Sequence, residues 1–196
     1  ATTLMDMGYH STKADPDVWI RTQVKPDGYE YYEMVLVYVD DIMVLSHDTK
    51  PTMDAIASLY RLKEGSIRDP KQYLGANIGK YQLPDGRECW SMTGRDYVKN
   101  AIKNVEATLE KEGSRLRSKA DRPMPSGYRP EVDVSNELSP ELVTRYQGLI
   151  GVLRWACELG RVDILVEVSM LSSHNAMPRE GHLEAVYHIF TYLKWH

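Results

Sequence analysis

The stretch that most limits what this chain can fold into is Tyr29-Glu30-Tyr31-Tyr32-Glu33-Met34-Val35-Leu36-Val37-Tyr38-Val39-Asp40-Asp41-Ile42-Met43-Val44-Leu45-Ser46. An apolar, β-branched run arrives at two adjacent aspartates, and a second apolar run leaves them. Short runs this rich in Val, Ile and Tyr read as strands rather than helix, and Asp tolerates a tight turn between them. The expectation is a β-hairpin with Asp40 and Asp41 in its turn, presenting two carboxylates from a rigid, largely buried platform. Neighbouring anions repel, and each resists losing its water. A divalent cation removes both penalties, because Mg²⁺ and Mn²⁺ prefer carboxylate oxygens and keep positions open for phosphate. Successive strand side chains point to opposite faces, so Asp40 is taken as the principal ligand and Asp41 as the supporting one. The competing reading of a bare Asp-Asp pair is a hairpin turn with no ligand.

The neighbouring segments extend this into a sheet. Val18–Val24 reads as a strand, and Lys25-Pro26-Asp27-Gly28 has the residues of a β-turn, giving an antiparallel meander. After the hairpin, Asp48 or Thr49 caps a helix with Pro51 in its first turn and Met53, Ile56, Ala57 and Tyr60 as its apolar stripe. Gln72–Ile78 and Glu88–Met92 flank the turn Leu83-Pro84-Asp85-Gly86 as a second hairpin. Arg95–Leu109 is an amphipathic helix with Tyr97, Val98, Ala101, Ile102, Val105 and Leu109 on one face. Glu110–Asp133 is rich in Lys, Arg, Gly and Pro and reads as a long linker, the best domain boundary in the chain. Ser139-Pro140-Glu141 opens a helix that Gly160 ends; Ile164–Ser173 and Glu180–Trp195 form two more. Gly148 and Gly151 cost helix propensity, which suggests close packing of a neighbour against them.

With 196 residues, the chain has room for one large domain or two small ones. No apolar run approaches the roughly 20 residues that span a bilayer. Cys89 and Cys157 are far apart and suggest no disulfide framework, so a reducing, intracellular setting is expected. The net charge of -4 argues mildly against a free-standing nucleic-acid binder. Its distribution does not, since Arg95 to Arg129 carries nine Lys and Arg residues against fewer acids. That span is open to two readings: a phosphate-contacting surface, or a solvated helix and loop. His174, His182, His188 and His196 match no zinc spacing and read as polar helix histidines.

The tetrad Tyr38-Val39-Asp40-Asp41, with strands on both sides, resembles the central metal-binding motif of reverse transcriptases. Val35–Ile42 looks like its form in copia-type LTR retrotransposon polyproteins. Further segments are similar to that family in the same order: Met7-Gly8-Tyr9-His10-Ser11 with Asp15-Pro16-Asp17-Val18-Trp19; Tyr73-Leu74-Gly75-x-x-Ile78; Tyr146-x-x-Leu149-Ile150-Gly151-x-Leu153; and His182-x-x-Ala185-x-x-x-Ile189-x-x-Tyr192-Leu193-Lys194. Arg161-Val162-Asp163-Ile164 departs from the commoner Arg-Pro-Asp-Ile at Val162.

The resemblance covers essentially the whole chain and implies an α+β fold. That fold is an antiparallel palm sheet with an Asp-Asp hairpin and covering helix, followed by a helical thumb- or connection-like part, together an incomplete right-hand polymerase. The implied domains are residues 1–92 (palm with a primer-grip-like hairpin), 93–133 (basic helix and linker) and 134–196 (helical region preceding RNase H). The implied activity is RNA-directed DNA polymerisation with Mg²⁺ or Mn²⁺, with Asp40 and Asp41 as catalytic metal ligands. Tyr38 and Val39 would lie under the primer terminus, Tyr73, Leu74 and Gly75 would position it, and Lys99 and Lys103 would meet phosphates. Lys63 or Lys71 is the candidate proton donor to pyrophosphate. Implied partners are template-primer, dNTPs, an upstream fingers and palm half, and a downstream RNase H of the same polyprotein, in a cytoplasmic virus-like particle and with no membrane. The family's first catalytic aspartate lies upstream of the Met7-Gly8 segment, so it is not expected here; Asp6, Asp15 and Asp17 do not match its motif. The rival expectation is a degenerate, inactive retroelement remnant, at most a nucleic-acid or protein interaction module.

Overall fold

In the computed structural model, which describes residues 2–196, the expected meander is an antiparallel sheet of order β1-β2-β3-β4. Its strands are β1 (His10–Ser11), β2 (Val18–Val24), β3 (Glu30–Tyr38) and β4 (Asp41–Leu45). The chain reverses between β2 and β3 at Gly28, whose φ of 85° suits glycine and whose N–H donates to the Lys25 carbonyl. Alternation along β3 buries Glu33 and Val35 and leaves Tyr32 exposed. Val35 packs with Trp19, with Tyr9 and with Leu4 of the short helix α1 (Thr2–Asp6). Only this face is well covered, so the platform under the aspartates is half-buried rather than largely buried. Helix α2 (Lys50–Leu59) has Pro51 in its first turn. It buries Thr52 and Ile56, while Ala57 and Tyr60 of the expected stripe are exposed. The Asp48 carboxylate accepts from the Lys50 N–H, whereas Thr49 makes no side-chain cap bond.

Thr52 faces inward because it joins a polar cluster. Arg21 on β2 stands opposite Glu33 on β3, with the guanidinium 2.7 Å from the carboxylate. Tyr9 and Thr52 hydroxyls also donate to Glu33, and Arg21 donates to the Met7 carbonyl at 2.9 Å. Burial alone would raise the Glu33 carboxyl, but hydrogen bonds from Ser46, Tyr9, Thr52 and Arg21 outweigh it and hold the group below its ordinary value. Burial and the bond to Glu33 push the Tyr9 phenol up to about 12. One cluster thus joins the end of α1, two strands and α2. The unit ends at Tyr73, in the short strand β5 (Gln72–Tyr73).

The second compact unit, Leu74–His196, pairs β6 (Ala76–Gln82) with β7 (Glu88–Thr93) and adds four longer helices. These are α3 (Arg95–Lys111), α4 (Pro140–Glu158), α5 (Leu165–Ser172) and α6 (Glu180–Trp195). Ser139 caps α4 by accepting from the Leu142 N–H. The core takes Val98, Ile102 and Val105 from α3, Tyr146, Ile150 and Leu153 from α4, Val168 and Leu171 from α5, and Val186, Ile189 and Phe190 from α6. Tyr146 carries its hydroxyl into this core and donates to the Leu171 carbonyl at 2.7 Å.

The second hairpin lies in the same compact unit as the helices, and the two units divide between Tyr73 and Leu74. One tie is Asn77 on β6, whose amide donates to Asp96 on α3 at 2.9 Å. The segment after α3 is a pinned strap rather than a free linker: Leu116, Ala120 and Pro130 are buried. His182, itself buried, holds the Pro130 carbonyl through Nε2 at 3.0 Å while its Nδ1 accepts from the Arg179 N–H. Gly148 and Gly151 face open space, so neither admits a close neighbour. The tight glycines are Gly94 and Gly181, where an added Cβ would lie 2.7 Å from Leu159 Cβ and 1.9 Å from Asp133 Oδ2.

Candidate active site

The strand register decides where the aspartates stand. Val35 pairs with Val44 and Tyr38 with Asp41, so the two loop residues are Val39 and Asp40, and Asp41 is the first residue of β4. The expected Asp-Asp turn is therefore shifted by one residue, because cross-strand pairing rather than turn preference chooses the loop. Val39 has φ 55° and is 88% exposed. A left-handed first loop residue is the pattern of a type II′ turn, where glycine is usual. A β-branched residue there is strained.

Tyr38, Asp40 and Asp41 are all exposed, so both carboxylates are open to a ligand from solvent. The Asp17 carbonyl accepts from the Val37 N–H at 3.0 Å, which fixes the Asp15–Asp17 turn against the end of β3. Tyr73 belongs to the same acidic end of the unit. Burial raises its phenol, and the negative charges of Asp41, Asp15 and Asp17 add to the shift.

Among the described residues, no group of three or more His, Cys, Asp and Glu side chains is placed to hold a metal ion. Asp40 and Asp41 have the right donor chemistry for Mg²⁺ or Mn²⁺ but supply only part of a ligand shell. Further oxygens would have to come from substrate phosphates, water or other protein segments.

The remaining candidates fall into separate places. Leu74 and Gly75 have φ 48° and 86°, the pattern of a type I′ turn. Beside Gly75 an added Cβ would make ordinary contact, 3.5 Å from Trp155 Nε1, so the positive φ rather than the space favours glycine. Its glycine thus has a structural reason beside any approach to a nucleic-acid strand. Lys63 and Lys71 are exposed in the irregular segment before β5, where Lys63 lines an open groove with Ala57, Tyr60 and Ile67. Lys99 and Lys103 stand four residues apart on the exposed side of α3.

Sequence reasoning missed the cluster of Tyr9, Arg21, Glu33 and Thr52. One signal was present: Glu33 falls in phase with Val35 and Val37, a charge at a core position.

Over 195 residues the chain is 24% identical to the retrovirus-related Pol polyprotein from transposon RE2 of Arabidopsis thaliana, covering 98% of this chain and 12% of that protein. The chain is similar to retrotransposon Pol polyproteins. It is 25% identical over 195 residues to the corresponding protein from transposon RE1, covering 97% of this chain and 12% of that protein. Over 196 residues it is 28% identical to a putative transposon Ty5-1 protein of Saccharomyces cerevisiae, covering 97% of this chain and 56% of that one. The chain thus spans about an eighth of the plant polyproteins and just over half of the yeast protein. No family model and no solved structure matches it. No helix among the described residues is long and apolar enough to cross a membrane.

Proposed function

We propose that this chain is the C-terminal palm and thumb-like segment of a retroelement reverse transcriptase, an RNA-directed DNA polymerase. The observation that carries the reading is the pair of exposed carboxylates, Asp40 and Asp41, at the tip of a strand hairpin, in a chain similar to Pol polyproteins along nearly its whole length. A bound divalent cation would supply the Lewis acidity that activates a primer 3′-hydroxyl and offsets charge on the departing pyrophosphate. Asp40 and Asp41 would hold it, Tyr38 and Val39 would offer an exposed floor to the primer end, and Tyr73 to Gly75 would orient that end. Lys63 or Lys71 would protonate pyrophosphate, and Lys99 and Lys103 would meet the nucleic-acid backbone.

A second reading, an inactive retroelement remnant, is favoured by one observation: no third carboxylate joins Asp40 and Asp41 among the described residues. Primer extension on an RNA template with Mg²⁺ or Mn²⁺ separates the two. The arms are this chain, the full open reading frame that encodes it, and Asp40→Asn in that frame. Extension by the full frame that Asp40→Asn abolishes supports the polymerase. Silence from the full frame, with the protein folded and template bound, supports the remnant.

A further inference from the structure

We propose that the part of the strap from Arg122 to Pro130 is an acid-released flap, fastened to α6 at neutral pH by two uncharged imidazoles, those of His182 and His188. The inference concerns the helical unit alone and does not depend on the polymerase reading.

Two histidines of α6 make the same bond to the two ends of this segment. Nε2 of His182 lies 3.0 Å from the Pro130 carbonyl, and Nε2 of His188 lies 3.0 Å from the Arg122 carbonyl. A carbonyl oxygen only accepts, so each Nε2 carries the ring proton. In His182 that leaves Nδ1 bare, and it accepts from the Arg179 N–H at 2.9 Å, at the start of α6. A second proton can go only to Nδ1, so a charged His182 gives up this bond. In His188 Nδ1 is buried with no hydrogen-bond partner among the described residues, so a charged ring there would hold a buried N–H without an acceptor. Both fastenings are built for a neutral ring.

The surroundings act in the same direction. His174 stacks on His182 with ring centroids 4.1 Å apart, so charge on one opposes charge on the other. Burial and His182 hold the His174 imidazole below its ordinary value, against the pull of Asp133 and Glu131 on the strap. Burial also lowers His188; the bond to the Arg122 carbonyl raises it and the charge of Arg117 lowers it further, with the fall prevailing. Tyr128, Glu184 and Tyr146 are the other titratable groups coupled to Asp133 or to one another here, and Arg179 supplies the nearby cation. Asp133 and Glu131 attract a charged ring, which softens the response but restores neither the Arg179 bond nor an acceptor at His188. A histidine held below its ordinary value contributes stability that is intact above the unfolded group's pKa, about 6.5, and is lost as pH falls through it. Beyond the two imidazoles the flap is held lightly, since Met124 and Tyr128 are only partly buried against the core. Its release would uncover the apolar surface on which they pack.

The test is NMR of the 196-residue chain, following imidazole nitrogen shifts and backbone mobility from about pH 7.5 to about pH 5.5. At the upper pH both rings should be neutral with the proton on Nε2, and the amides of Met124, Gly127 and Tyr128 should be as rigid as those of α4. On acidification these three amides should become mobile in the same step in which the rings charge, while α4 keeps its native shifts. In His182→Gln/His188→Gln an uncharged amide nitrogen takes the place of each Nε2 and donates at every pH, so the flap should stay rigid throughout. An acid opening in that double variant like the wild type's overturns the role of the histidines. Should the double variant not fold, the wild type still decides. A flap that stays rigid while the rings charge, or rings with the proton on Nδ1, overturns the fastening, and an opening that occurs only together with loss of α4 overturns the local release.

Discussion

Replacing Arg21 with Met isolates the energetics of the cluster behind the candidate site. The Glu33 side chain is 3% exposed and Arg21 22%, so the substitution leaves a buried carboxylate without its cation. Breaking a buried pair from one side costs about 3–5 kcal/mol. The lower end applies here, because Arg21 keeps some contact with water and the Tyr9 and Thr52 hydroxyls still donate to Glu33. About 3 kcal/mol is a large share of the roughly 5–15 kcal/mol that holds a domain folded.

The pH dependence has a defined sign. In the wild type Glu33 is held below its ordinary value, so its contribution is present above the unfolded carboxyl's pKa and is lost as pH falls through the folded one. In Arg21→Met the deficit should therefore be largest near neutrality and shrink on acidification, as Glu33 protonates in both proteins. Arg21→Met/Glu33→Leu, which removes both charges, should recover most of the loss. The assay is urea unfolding across pH, with hydrogen exchange on the β2 and β3 amides to assign the change to this unit. A neutral-pH deficit under about 1 kcal/mol, or one that persists undiminished in acid, would refute the reasoning.

Three further substitutions follow from the geometry. Gly181→Ala should destabilise the helical unit by about 1–3 kcal/mol in thermal melts, because its Cβ would meet an Asp133 carboxylate already held by Ser135 and Tyr128. Tyr146→Phe removes one of two donors to the Leu171 carbonyl, which keeps the His174 N–H, and should cost about 1 kcal/mol in the same assay. Val39→Gly relieves the left-handed strain at the hairpin tip and should raise stability by about 1 kcal/mol, since relief of about 1–3 kcal/mol exceeds the entropy glycine adds to the unfolded chain; a lower midpoint would contradict it.

Local patterns made much of the architecture readable. Val18–Val24 and Glu180–Trp195 announce a strand and a helix through apolar periodicity and end signals, and both form over those residues. What was not readable depends on partners distant in sequence. The loop falls on Val39 and Asp40 because β3 pairs with β4 through Val35 and Val44, a register that no single-residue preference encodes. The basic, Pro-containing segment after α3 has the composition of a linker, yet Ala120 is buried and Leu116 joins a core supplied largely by residues from 138 on. Gly148 and Gly151 resemble packing glycines in sequence, whereas Gly94 and Gly181 do that work at helix starts that depend on Leu159 and Asp133. In the candidate site, the Asp-Asp motif and its exposure were legible. Glu33 was not, because a carboxylate on a core face is intelligible only once Arg21, Tyr9 and Thr52 are seen to surround it.

The position of Glu33 on the same strand as the hairpin tip constrains how this segment can change by insertion or deletion. Strand side chains alternate, so the number of residues between Glu33 and Asp40 has a parity as well as a length. Losing one residue there would leave two poor outcomes. Either Glu33 turns away from Arg21 and an apolar neighbour replaces it against Thr52, or the cluster holds and the aspartates exchange faces at the tip. Substitutions at Leu36 or Val37 alter packing by degrees, but a change of count alters it all at once. The interval between the buried carboxylate and the exposed ones should therefore change, if it changes at all, two residues at a time.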